Sequence, residues 1–516
     1  MFVPRALAVP RFCARFGGRV AAVDGRGGVL AFADLAGRAA VLADRLAAAG
    51  VGPGVAVAHL CRNRVEAVWR SYAIQLAGGC EVALNAGLAT EEIAYCLEVM
   101  RAGVLVGDPE DTEPHGPGRT VVDGGGVEDA GGEMAAMTPF RWRLAAADDH
   151  ARATFTSGTT GRPKAAIVDQ AAWTASIVML RAAMPRRVGE GDRVLLMTPF
   201  SHGASLLTFA FLESGASVHL LEGIDEGAVR RALDDRSVTD LFAPPTVLRR
   251  IVEAVGDRRF DHIRTVWTGT ATLSPGLYTA ARAVFGPVIR VTYGMSEMVN
   301  PITVLEPAET ERWYGADDVG GGGACLGWPP PGVDVAVRGP DGAELPPDET
   351  GEIHVMGPQL FCGYRTADGF SPRPPHAYHP TGDLGSIDAS GRVLLAGRAH
   401  DVINTGGYKV FPQEIEAALS PLGEVGVVAL ASEYWENVIV AAVEAAAGSD
   451  WRERAEALAA PLSRHKRPRA WVRLDSLPRN AVGKVDRRRL ARLIAESHRL
   501  VDGRHPTLEP LEPSSP

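Results

Sequence analysis

The chain has 516 residues, with 53 Lys+Arg against 62 Asp+Glu and a formal charge of −9. That acidic balance argues against sequence-independent nucleic-acid binding, which depends on neutralising phosphates. With 46% hydrophobic and 22% charged residues, the composition is globular and long enough for about two to four domains. No apolar run reaches the roughly 18 residues of a membrane span, and Pro and Arg interrupt the opening MFVPRALAVPRFCARFGG, unlike a signal peptide.

The six cysteines (Cys13, Cys61, Cys80, Cys96, Cys325 and Cys362) are dispersed and form no CxxC pair. Neither a disulfide framework nor structural zinc is expected, and a cytoplasmic protein is the simplest reading. Along the chain, residues 28–60 read as strand, helix and strand, the helix capped by Asp34 and stopped by Gly50. Residues 109–148 are rich in Gly, Asp, Glu and Pro without periodicity, and read as a long surface loop. From 190 to 295 apolar runs alternate with helical patterns: RVLLM (193–197), SVHLL (217–221), DLFAP (240–244), TVWTG (265–269) and VIRVTYG (288–294). That alternation predicts an α/β fold with a buried, mostly parallel sheet.

After about residue 310 the pattern becomes turn-rich β structure, and beyond Asp401 a smaller mixed unit follows. The expected architecture is therefore a large N-terminal α/β domain over 1–398, with mostly parallel sheets and a β-rich subdomain. A small α+β C-terminal domain over 399–500 is joined to it by a hinge, and 501–516 is expected to be a disordered tail.

The segment ATFTSGTTGRPKAA (153–166) carries the most chemistry. Glycines allow a sharp turn whose N–H groups can converge on an anion, and several hydroxyls and Lys164 add donors. The inventory suits a polyphosphate, although the Walker spacing does not fit. His202, in TPFSHGAS, follows a strand candidate, where doubly wound folds place ligands.

TSGTTGRPK, YGMSE (293–297), TGDLG (381–385), LLAGRAHDVINTGGYKVFPQEIE (394–416) and PRNAVGK (478–484) together resemble the adenylate-forming superfamily. Its members include acyl-CoA synthetases, adenylation domains and luciferases, and the pattern is most similar to a bacterial acyl-CoA ligase. The motifs fall in the family's order, over about residues 10–495. The resemblance implies an ATP-dependent acid–thiol ligase that makes an acyl-adenylate and passes the acyl group to coenzyme A, with Mg²⁺ as cofactor.

By the same resemblance, Thr156, Ser157, Gly158, Thr159, Thr160, Gly161 and Lys164 grip the β- and γ-phosphates. Tyr293 stacks on adenine, Gly294, Met295 and Thr270 line the nucleotide, and Ser296 contacts the α-phosphate. Glu297 holds the metal, Asp383 accepts from the ribose with Arg398 nearby, and Lys484 bridges the acid and the α-phosphate. His202 lines the acyl and thiol path, Gly406, Gly407 and Trp435 belong to the pantetheine path, and His400 is the hinge.

The sequence departs from the family at Ala165 and Gln170, at Thr268–Thr272 in the adenine segment, and at His400. Two other readings therefore stay open. One is a stand-alone adenylation enzyme that loads a separate carrier protein, and the other is a half-reaction member that uses or binds an adenylate without making it efficiently. Monomer and homodimer are both compatible with the sequence. The acid is not legible, although small residues around the expected pocket suggest room for a bulky or cyclic one.

Overall fold

The computed structural model describes residues 3–122, 144–156, 163–315, 324–398, 401–405, 408–444, 450–480 and 484–511. Two eight-stranded sheets form its frame. The first runs in the order Thr303–Leu305, Ile289–Tyr293, Thr265–Gly269, Asp240–Phe242, Arg193–Leu196, Ser217–Leu220, Val20–Asp24 and Val29–Ala31. Its inner strands are parallel and its two edges antiparallel. Every apolar run read between 190 and 295 is one of these strands. The crossover helices Pro245–Val255 and Pro275–Phe285 begin at proline, where a missing N–H costs nothing, and Ser274 caps the second by accepting from Leu277 N.

In the second sheet, Cys80–Asn85, Ala56–Cys61, Val104–Val106 and Thr120–Val121 run parallel to His150–Thr156. Lys164–Asp169, Gly363–Thr366 and Gly369–Pro372 extend that sheet antiparallel. One apolar core takes residues from both sheets and from helices Phe32–Ala48, Val65–Leu76, Gln170–Ala182 and Ser205–Glu213. Helix Val65–Leu76 touches strands of each sheet. Helix Phe32–Ala48 starts ahead of Asp34, which sits in its first turn and does not cap it. The start is set by packing instead, because Phe32 is fully buried against Phe12 and Phe16. The expected loop over 109–148 contains, in its described part, a short helix at Pro109–Thr112 and the edge strand Thr120–Val121.

A five-stranded antiparallel sheet follows, made from Ala324–Gly327, Val393–Arg398, His379–Ile387, Gly351–Met356 and Asp334–Arg338. Beyond Asp401 the strands Val425–Ser432, Glu436–Glu444 and Ala470–Leu474 form a sheet with an apolar core on each face. Helices Pro412–Leu419 and Trp451–Ala459 cover one face, and Arg487–Ser497 covers the other. All six cysteines are unpaired thiols. No helix among the described residues is long and apolar enough to cross a membrane.

The tail differs from expectation. His498–Val501 pairs with Thr507–Pro510 as an antiparallel hairpin, and Leu500 and Leu508 pack on the small sheet's core beside Trp435. Asp502 accepts hydrogen bonds from Ser432 Oγ and from the N–H groups of Glu433 and Tyr434. The Pro- and Glu-rich composition hid this because the apolar positions that pay for order are only a few alternating residues. Asp502→Ala should release the hairpin, so limited proteolysis should cut between 498 and 511 in the variant while the parent resists. Equal resistance would show that the packing of Leu500 and Leu508 suffices alone.

Candidate active site

The carboxyl ends of the parallel strands in the first sheet lie along one edge. Strand order reverses beside Arg193–Leu196: the chain goes first to Ser217–Leu220 on one side and then to Asp240–Phe242 on the other. Open α/β sheets bind ligands in the crevice at such a reversal. His202 and Thr246 follow the two strands that flank it, and Thr270 and the stretch Tyr293–Glu297 follow the next two. The topology thus collects residues from distant parts of the sequence.

The tightest cluster joins three units of the fold. The Tyr293 hydroxyl, at the end of its strand, donates to Asp383, which lies in the five-stranded sheet. Arg398 Nε sits 2.7 Å from Asp383 Oδ1, the two residues facing each other across adjacent strands. Burial and then the Asp383 charge push the Tyr293 phenol well up, so it stays a donor. Lys484 lies beyond the small sheet in sequence, and the Asn480 side chain accepts from Lys484 N at 3.0 Å. Burial, followed by the nearby Arg398 charge, lowers the Lys484 ammonium to about 8, although Asp383 pulls the other way. Cations at Lys484 and Arg398 thus converge on one buried carboxylate.

A second cluster lies where the phosphates are expected. Thr156 and Lys164 face each other across a hairpin. Lys164 Nζ sits 3.6 Å from the centre of the Tyr364 ring, a cation–π contact, and the Tyr364 hydroxyl donates to Glu297 Oε1 at 2.7 Å. Glu297 is buried, and its backbone carbonyl also accepts from Phe361 N. Tyr364 therefore links the loop lysine to the candidate metal carboxylate. It lies within GEIHVMGPQLFCGYR, a segment that fits the family pattern but suggests no role for this residue in the sequence.

The chain matches the model of the AMP-binding enzyme family over residues 9–365. The chain belongs to the AMP-binding enzyme family. It is 31% identical over 490 residues to a feruloyl-CoA synthase from Amycolatopsis sp, covering 92% of this chain and 95% of that one. A 2-succinylbenzoate–CoA ligase from Bacillus licheniformis is 31% identical over 474 residues, covering 89% and 94%. Among solved structures, the o-succinylbenzoate CoA synthetase of Bacillus subtilis in complex with an acyl-adenylate intermediate is similar at a TM-score of 0.79, with 26% identity and coverage of 95% and 98%.

Other family positions fall in varied settings. Gly294, Met295 and Ser296 are half-buried in a turn in which Met295 N donates to Met298 O. Gly269 must be glycine, because a Cβ there would come within 2.3 Å of Thr292 O on the neighbouring strand. Thr270 is exposed at φ 66°, a left-handed conformation that is strained for a β-branched residue and clusters at ligand sites. Ala165 and Gln170, two departures from the family pattern, are both buried, and Ala165 belongs to an apolar core. His202 sits in an irregular turn, Phe200–Ala204, and burial with the Arg152 charge lowers its imidazole to about 4. It is neutral at pH 7.

Trp435 stands apart from the Tyr293–Asp383 cluster in its contacts. Its indole N–H donates to Gly503 O at 3.0 Å and the Arg469 guanidinium covers its ring at 3.8 Å, both within the small unit. Ser157, Gly158, Thr159, Thr160 and Gly161, the expected hinge residue His400, and Gly406 and Gly407 lie outside the described residues.

The lowered ammonium gives a test. Amine-specific labelling of Lys484 in the free protein, followed by mass spectrometry, should rise with a midpoint near pH 8, because only the neutral amine reacts. Lysines on the open surface should titrate about two units higher. A midpoint for Lys484 near 10 would remove it from the cleft.

Proposed function

We propose that this chain is an AMP-forming acid–thiol ligase that activates a carboxylic acid with ATP and transfers the acyl group to coenzyme A. The observation that carries the reading is the convergence of Tyr293, Asp383, Arg398 and Lys484 on one crevice edge in a member of the AMP-binding enzyme family. In the first step a carboxylate oxygen attacks the α-phosphorus of ATP, and the bond to pyrophosphate breaks. Two anions must approach, so the step needs fixed cations more than a base. Lys484 in its charged form neutralises the carboxylate and α-phosphate together. Ser296 donates to the α-phosphate, Lys164 and the Thr156–Gly161 loop hold the leaving pyrophosphate, and Asp383 orients the ribose. In the second step the thiol of coenzyme A attacks the acyl carbon; AMP leaves and the thiol proton goes to solvent. Neutral His202 borders that path without adding charge.

Glu297 suits Mg²⁺. It offers one buried carboxylate, and among the described residues no group of three or more His, Cys, Asp and Glu forms a protein cage. A cation that takes one or two carboxylates and completes its shell with phosphates needs no more. Bound there with ATP, Mg²⁺ supplies charge neutralisation on the phosphate oxygens. The Tyr364 hydroxyl fixes the Glu297 side chain, and Tyr364→Phe should raise the Mg²⁺ concentration needed for pyrophosphate exchange several-fold while leaving AMP binding unchanged. An unchanged Mg²⁺ requirement would remove Glu297 from the metal site.

Lys484 and the Gly406–Gly407 loop serve different steps, so the unit beyond residue 398 rotates between them about His400. The reaction belongs in the cytoplasm, where ATP and coenzyme A are supplied. The acids in the names of both curated relatives, ferulic and succinylbenzoic, carry a benzene ring. Ser201 Oγ and Thr268 Oγ1, both buried at this edge without a partner, can hydrogen-bond a polar group on the acid. A ring acid with a polar substituent is therefore the expected substrate class.

The deciding experiment separates the half-reactions. Acid-dependent pyrophosphate exchange should occur in the parent and fall by several orders of magnitude in Lys484→Ala. Discharge of a supplied acyl-adenylate onto coenzyme A should survive that substitution. Equal loss of both steps would overturn the role of Lys484. Discharge only onto a phosphopantetheinylated carrier protein would make the chain a loading enzyme.

A further inference from the structure

The turn that carries His202 is irregular: His202 itself has φ −122° and ψ −135° inside the π-helical stretch Phe200–Ala204. The turn satisfies part of its backbone internally, with His202 N donating to Pro199 O at 3.0 Å and Ser205 N to His202 O, and its other polar groups draw on outside partners. Two buried side chains supply them. Asn63 follows strand Ala56–Cys61 of the other large sheet. Its Oδ1 accepts from Phe200 N at 2.7 Å, while its Nδ2 donates to Thr198 O at 2.7 Å and Leu221 O at 2.9 Å. All its hydrogen-bonding capacity in these contacts serves the strand ends around the crevice.

On the other side stands Arg152, also buried, on strand His150–Thr156. One arm of its guanidinium pairs with Glu81, and the other donates to Ser205 Oγ at 3.0 Å. Ser205 Oγ in turn donates to His202 O at 2.8 Å. Glu81 is held by His59 Nδ1 and Ser71 Oγ, each at 2.8 Å, and the His59 ring contacts Phe200. A planar fork can serve two acceptors in fixed directions, which a lysine cannot.

We propose that Arg152, acting through Ser205, and Asn63 are positioning residues for His202: they pin the turn's backbone on both sides, so that only the imidazole moves when acyl group and thiol arrive. The proposal rests on the reading that His202 borders the acyl and thiol path. Measured at saturating acid, it predicts a defect in the second step, since neither residue touches the Tyr293–Asp383 or Lys164–Glu297 clusters in the contacts described; Ser201 shares the turn, so the KM for the acid rises as well.

Ser205→Ala is the informative variant because it cuts the relay and leaves the Arg152–Glu81 pair in place. Discharge of preformed adenylate onto coenzyme A should slow about ten- to a hundred-fold, the scale of a small misplacement at a reacting centre. Pyrophosphate exchange should stay within about two-fold, and Ser205→Thr, which keeps the hydroxyl, should restore discharge. Arg152→Lys, which keeps the charge opposite Glu81 but not the fork, should reproduce the discharge defect should the threonine prove too large. Equal slowing of both steps, or no effect in Ser205→Ala while His202→Ala slows discharge, would overturn the positioning role. No effect in His202→Ala would instead overturn the placement of His202 on the path, and the proposal with it.

Discussion

A carboxylate buried between two sheets has to be paired, and much of this molecule is arranged around the one at Glu81. Burial alone would raise its pKa, but the Arg152 charge and the bonds from His59 and Ser71 reverse that and hold it down to about 2. Removing one partner of such a pair costs about 3–5 kcal/mol, because the other charge is left stranded. The sign of the pH dependence follows. Glu81 contributes stability above the ordinary carboxylate range, and this is lost as pH falls toward 2. His59 and His202 are both lowered by burial, so below about pH 6.5 protons prefer the unfolded chain. Acid therefore loosens the layer that carries the His202 turn.

From that layer outward, the site follows from topology. Parallel strands align their carboxyl ends, and the order reverses beside Arg193–Leu196, where open α/β sheets place their ligands. The five-stranded sheet brings Asp383 and Arg398 to that edge, and Lys484 comes in from the small unit. The chemistry asks for cations facing anions, and residues from three separate sheets or their flanks supply them. Buried residues such as Gly269, where a Cβ would strike Thr292 O, keep the adjoining strands close enough for Tyr293 to reach Asp383.

Much of this was legible in the sequence. The apolar runs from 190 to 295 gave the parallel strands because both faces of that sheet are buried, so periodicity was hardly needed. The family resemblance gave Tyr293, Asp383, Arg398 and Lys484 separate roles around one nucleotide, and their direct contacts, such as the Tyr293 hydroxyl on Asp383, were not among them. What stayed hidden depends on contacts across long sequence distances. Asn63 and Arg152 carry no local signature, since a polar residue beside a strand looks like a surface residue until its buried partners are known. Tyr364 lay inside a matching segment, but its bridge between Lys164 and Glu297 exists only in three dimensions. The helix start at Phe32 and the hairpin after Ser497 were misread for a related reason: aromatic and aliphatic packing outweighed the local signals of capping and composition.

The lowered ammonium at Lys484 reaches beyond catalysis. In the free protein a part of the population holds this residue neutral near pH 8. If ATP and a carboxylate bind beside Lys484 as proposed, their negative charges would drive the amine back to its charged form, with the proton drawn from the medium. On that reading ligand binding would be coupled to proton uptake. The heat measured for binding then contains the ionisation heat of the buffer, and differs between phosphate and Tris at one pH. The protein would then take part of the charge it needs from solvent at the moment its substrates arrive.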